Sequence, residues 1–175
     1  MENIKIEAGE IPVKVEEKEP VNKRIVGPHT KESRLVTEAD LERVISEAKI
    51  LYEICFTSNG IYQGAWAMHH SQIEEKDPLQ LHVTADKKIF LNPVITNHSN
   101  YTVDSKEGCV SYATEKQIIV QRWQKIEVEY VTVMVDPEDN TKFKLSSVIK
   151  ESLSGMQAKV FQHEMDHGLA SYIYG

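Results

Sequence analysis

Two histidines four residues apart, in the stretch VFQHEMDHGLAS (160–171), constrain the fold more than any other feature of the chain. His163 and His167 can act together if the backbone between them is helical, because side chains at i and i+4 then leave the same face. Two imidazoles so placed reach a single cation at about 2.0–2.1 Å each. Glu164, beside the first histidine, can reach a water held by such a cation and serve as a general base. The spacing therefore predicts a helix over 155–167 that carries a metal site. Ser154 with Gln157 resembles a capping box at its start, and Gly168 suits its C-terminal cap.

Three protein ligands leave an open position for chemistry, whereas four close a structural site. Cys109 follows a glycine in KEGCVSY (106–112), a tight turn between expected strands, and its thiolate would be a strong, soft third ligand. His29, His69, His70, His82 and His98 lack helical partners and are expected at the surface rather than as ligands. Cys55 falls on an apolar helix face and reads as a small buried hydrophobe.

Other periodicities place the remaining elements. In TEADLERVISEAKILYEIC, Leu41, Val44, Ile45, Ala48, Tyr52 and Cys55 recur at helical spacing, and Thr37 with Asp40 resembles a capping box, so a helix is expected over 38–56. TSNG (57–60) breaks it. Strands are expected at 79–85 and 87–96, with Asn92–Pro93 marking a break or sheet edge. CVSYAT, KQIIVQRWQ and KIEVEYVTVMV (125–135) read as further strands, and DPEDN (136–140) as a hairpin loop. Residues 1–36, polar and interrupted by Pro12, Pro20 and Pro28, read as an extended arm with a short strand at 11–15. The stretch GIYQGAWAMHHSQI (60–73) carries both helical and strand signals. The plan is α+β: mostly antiparallel sheets around a C-terminal HExxH-bearing helix, in one domain spanning 1–175.

A net charge of −7 supplies no basic surface for nucleic acid or anionic membranes. No run of about 18 apolar residues predicts a membrane span. The acidic N-terminus lacks a secretory or organelle signal, so a cytoplasmic protein without structural disulfides is expected.

EGCVS (107–111), followed by QHEMDH (162–167), resembles two motifs of the peptide deformylase family, EGC-φ-S and Q-H-E-φ-D-H, where φ is apolar. FLNPVI (90–95) is similar to the family's strand ending in Asn-Pro, and the resemblance covers roughly residues 10–170. It implies hydrolytic removal of the formyl group from N-terminal formylmethionine of nascent polypeptides. Carried over, Cys109, His163 and His167 hold the metal, Fe²⁺ being expected, with Zn²⁺, Ni²⁺ or Co²⁺ able to occupy the site. Glu164 takes the proton of the attacking water, and the Val110 backbone N–H stabilises the oxyanion. Glu107 corresponds to the family's structural acid, and Asp166 to a carboxylate that orients a ligand or a neighbouring segment. The implied substrates are N-formylmethionyl peptides, with transient ribosome contact. The basic C-terminal extension by which some deformylases dock there is not expected, because the chain ends soon after His167.

The family's first motif, G-φ-G-φ-A-A-x-Q, is departed from. Aligning Gly64 with its second glycine sets His69 at the glutamine's position without a gap, the favoured register; a three-residue insertion sets Gln72 there instead. Either side chain can donate a hydrogen bond to an oxyanion. Trp66 replaces a small alanine and either narrows the substrate pocket or, the favoured reading, fills core. Two alternatives to an active deformylase remain: a deformylase-like metal-binding protein with weak or no activity, and a zincin peptidase resting on H-E-x-x-H alone.

Overall fold

The computed structural model describes residues 25–28, 30–56, 65–112 and 116–174. The strand expected at 11–15, the break at 57–60, His29 and the side chain of Cys55 lie outside the described residues. A 3-10 turn, Glu38–Asp40, leads into helix α1, Leu41–Phe56. The Thr37 N–H donates to the Asp40 carboxylate at 2.9 Å, which satisfies one donor at the helix entrance.

Alternation along the strands decides the architecture. A five-stranded antiparallel sheet runs in the order β1 (Ala67–His69), β2 (Leu81–Thr84), β3 (Ile89–His98), β6 (Lys125–Val131), β9 (Ile149–Ser154). Met68, Leu81, Val83, Ile89 and Leu91 join Val44, Ala48 and Leu51 of α1 in one core. Phe90 belongs instead to a second core with Ile126, Val128, Leu153 and residues Ala158 and Phe161 of helix α2, Gly155–Gly168. Successive side chains leave opposite faces of a strand. His69 pairs with His82, and His82 with Phe90, so these three share the face toward α2. That is why His69 and His82, expected at the surface, are fully buried; His70 is buried too, in the 3-10 turn His70–Gln72 that follows β1.

Asn92 takes a left-handed conformation (φ 52°) at a register shift in β3, as the Asn-Pro signal implied. Its carboxamide clasps Val36 through both N–H and C=O, at 2.7 and 2.9 Å. The adjoining arm is held by Val26 N–H on the Gln72 carbonyl and Ser33 N–H on the Gly168 carbonyl, both 2.9 Å.

Several local expectations are corrected. Val110–Tyr112 forms a 3-10 turn, not a strand. The run 125–135 divides at Thr132 into β6 and β7 (Val133–Val135), and β7 pairs with β8 (Phe143–Leu145). Strand β4, Thr102–Glu107, which carries little apolar signal, pairs with β5, Ile118–Trp123. Ser154 stands at the N-cap of α2, but its side chain makes no capping bond. Gly168 remains helical, and the left-handed residue after the helix is Ala170, φ 51°. Among the described residues, no helix is long and apolar enough to cross a membrane.

Candidate metal centre

Helix α2 is fixed against β5 before it presents any ligand. The Gln162 carboxamide accepts from the Trp123 N–H and donates to the Trp123 carbonyl, both at 2.9 Å. This double bond sets the rotation of the helix, so that its histidine face meets the turn after β4. There Cys109, His163 and His167 each bring one ligand atom within 4.8 Å of the others. Cys109 Sγ lies 3.4 Å from His167 Nε2. A tetrahedral cation bound by a thiolate at about 2.3 Å and an imidazole at about 2.0–2.1 Å would hold those two donors roughly 3.5 Å apart. One sulfur and two imidazole nitrogens, mostly buried and within 4.8 Å of one another, suit a transition-metal dication and would leave a fourth position for water.

The orientation of His163 comes from outside the ligand set. Its Nδ1 is 2.9 Å from Glu107 Oε2, which leaves Nε2 for the cation. Glu107 is itself gripped by Arg122, Nε to Oε1 at 2.9 Å and Nη2 to Oε2 at 2.8 Å. Arg122 Nη1 reaches Asp166 Oδ2 at 2.6 Å. Burial alone would raise the Glu107 carboxyl, but the Arg122 and His163 hydrogen bonds outweigh it and hold its pKa at about 2. Among the described residues, the Asp166 carboxylate therefore meets Arg122 rather than a ligand side chain. Nothing in QRWQ distinguished this arginine from a solvated strand residue; its role arises from the β4–β5 pairing, which sets it beside Glu107 and α2.

Glu164 is almost fully buried, and its Oε2 makes no hydrogen bond among the described residues. Burial pushes its carboxyl up to about 7, with Asp166 and Glu107 adding to the rise and His163 opposing it. Such a group exchanges a proton near neutrality.

The two candidates in the divergent segment occupy different surroundings. Gln72 Nε2 lies 3.4 Å from Ser111 Oγ, two residues beyond Cys109, while its Oε1 accepts from the His69 N–H at 2.9 Å. The His69 ring is turned to the interior, 6.5 Å between centroids from His167 and 6.4 Å from His82. Its Nδ1 accepts from the Ser71 N–H at 3.1 Å. Val110 opens the 3-10 turn directly after Cys109. Trp66 does not fill core: it is 63% exposed and stands at the rim of an apolar pocket of about 240 Å³, with Phe90, Met156, Val160 and Phe161 among its walls.

The chain is similar to known proteins. Peptide deformylase 2 of Nostoc sp. is 35% identical over 78 residues, 45% of this chain and 37% of that protein. Peptide deformylase 1B, chloroplastic, of rice is 27% identical over 118 residues, 67% of this chain and 39% of that protein. The chain thus spans less than half the length of these relatives. Among solved structures, peptide deformylase 1B of Arabidopsis thaliana superposes with a TM-score of 0.65 at 21% identity, over 86% of this chain and 78% of that one. The peptide deformylase of Thermotoga maritima gives 0.64 at 22% identity, over 87% and 95%. At such identities the superpositions establish the fold. The sequence profile of the polypeptide deformylase family matches residues 60–174, well over half of the chain. The chain belongs to the polypeptide deformylase family.

Proposed function

We propose that the protein is a metal-dependent amide hydrolase that removes the N-formyl group from N-terminal formylmethionine of nascent polypeptides. The observation that carries this reading is the Cys109–His163–His167 cluster with Glu164 beside it, in a chain of this family. Fe²⁺ is the metal we assign, Zn²⁺, Ni²⁺ and Co²⁺ being able to take its place. Held by Cys109, His163 and His167, such a cation would supply Lewis acidity toward a water and the formyl carbonyl.

The chain's own groups do the rest. Glu164 receives the proton of the attacking water and passes it to the leaving amine, so that water is divided between formate and the freed N-terminus. The Val110 N–H donates to the developing oxyanion. For the second donor we infer Gln72 rather than His69, because the Gln72 amino group faces the Cys109–Ser111 turn while the His69 ring is turned inward. The three-residue insertion expected when Gly64 is taken as the motif's second glycine is not needed when the motif is counted back from Gln72: Ala65 and Ala67 then stand for the two glycines, Trp66 and Met68 for the apolar residues, and His69 and His70 for the two alanines.

Release of formate from a formyl-Met peptide, assayed anaerobically with Fe²⁺-loaded protein, tests the proposal. Turnover is expected. Retention of metal without turnover would favour the second reading, a deformylase-like metal-binding protein, whose specific motivation is the pair of histidines at the two alanine positions.

A further inference from the structure

His69 and His70 point to opposite sides of the same turn. His69 faces α2, as described above; His70 faces α1. Its ring is fully buried, with Nδ1 accepting from the Leu79 N–H at 2.9 Å and Nε2 paired with the Glu47 carboxylate. An Nδ1 that accepts an amide N–H requires the proton on Nε2, which is the arrangement a carboxylate partner favours. Glu47 is in turn held by Arg43, Nε to Oε2 at 3.3 Å. Arg43 Nη1 reaches Asp77 Oδ2 at 2.7 Å, and Asp77 takes the Arg34 Nε at 2.8 Å. The His70 imidazole therefore joins the turn to α1, to the segment leading into β2 and to a charged network.

The turn anchored in this way carries Gln72 at its end. The His70 carbonyl closes the turn by accepting from the Ile73 and Glu74 N–H groups at 3.0 and 3.1 Å. Within the turn, the His69 N–H occupies Gln72 Oε1, which forces the amino end of the carboxamide outward toward Ser111. A carboxamide whose oxygen is already occupied cannot flip without losing that bond. Small displacements of an oxyanion donor are costly, because its contribution depends on being in place before charge develops.

We propose that His70, clamped between Glu47 and the Leu79 N–H, is a positioning residue for the Gln72 amide, acting through the 70–72 turn and touching no substrate itself. The inference rests on the reading of Gln72 as an oxyanion donor. It assigns a job to the histidine that stands where the family motif has alanine, and to a glutamate on the far helix.

The test combines kinetics with nuclear magnetic resonance on the zinc-loaded full chain. His70→Phe keeps the ring's bulk and removes both nitrogen partners; Glu47→Gln is the milder second variant. His70→Phe is expected to lower kcat by about 10- to 100-fold with KM within about twofold. In a Gln72→Ala background the same change should cost little further. His70→Gln, which restores a donor toward Glu47, should recover part of kcat. Multiplicative losses would overturn the proposal by showing that His70 acts independently of Gln72. The spectra decide separately from activity: wild type should show His70 protonated at Nε2, and the Gln72 side-chain amide pair should shift in both His70→Phe and Glu47→Gln. Unchanged Gln72 amide signals in both variants would overturn the positioning role. An inactive wild type with shifted signals would refute the proposed hydrolysis while leaving the positioning intact.

Discussion

Glu107 Oε2 meets His163 Nδ1 at 2.9 Å, and this contact turns a histidine with two usable nitrogens into a ligand with one. The carboxylate can do so because Arg122 holds it in a two-point grip. Glu107→Gln preserves shape but loses the charge and one of these acceptors. Affinity for Zn²⁺, measured by competition with a chromophoric chelator, is expected to fall about 10- to 100-fold. An affinity equal to wild type would mean that His163 is oriented by packing alone.

The same cluster predicts acid lability. Glu107, with its pKa held at about 2 in the folded protein against 4.5 ordinarily, binds fewer protons folded than unfolded. Its stabilisation is present above about pH 4.5 and is lost as the pH falls from there toward 2. Asp40, held below the ordinary range by the Arg34 hydrogen bond, adds a contribution of the same sign. Urea unfolding of metal-stripped protein should show stability dropping between pH 5 and pH 3, with a shallower drop in Glu107→Gln.

At the end of α2, glycine and alanine occupy unequal positions. A methyl group on Gly168 would lie 2.7 Å from Gln80 Oε1, and Gln80 Nε2 bridges to the Ser33 and Gly168 carbonyls at 3.2 and 3.3 Å. Gly168→Ala should therefore displace Gln80 and destabilise by about 1–2 kcal/mol. Ala170, at φ 51°, carries a side chain where glycine is favoured, and Ala170→Gly should stabilise by about 0.5–1 kcal/mol. Thermal melts of the two variants should move in opposite directions.

The legible parts of this chain were those whose meaning is local. The i, i+4 spacing of His163 and His167 identified a helix that brings both imidazoles beside Cys109, and Asn92–Pro93 marked the place where β3 breaks register. The parts that were not legible depend on partners distant in sequence. His69, His70 and His82 looked like surface residues because polarity is a prior for exposure; β1–β2 pairing and a glutamate 23 residues away made them interior. Trp66 looked like core for the opposite reason, yet lies exposed at a pocket rim. Arg122 acquired a role only when β5 paired with β4 and delivered it to Glu107.

Gln72 and His69 are separable by mutation. Gln72→Ala should lower kcat for a formyl-Met peptide by about 100-fold or more. His69→Ala, which opens space in the interior beside His167, should lower thermal stability and reduce kcat less than Gln72→Ala does. The reverse order in kcat would restore His69 as the oxyanion partner.

The most direct test of the account pairs metal content with formate release for wild type and Glu164→Gln, both loaded anaerobically with Fe²⁺. Glu164 lies outside the Cys109–His163–His167 cluster, so both proteins should bind one metal per chain. Wild type should release formate from a formyl-Met peptide, and the variant should be slower by at least about 100-fold. Formate release by the variant at the wild-type rate, or none from metal-loaded wild type, would contradict it.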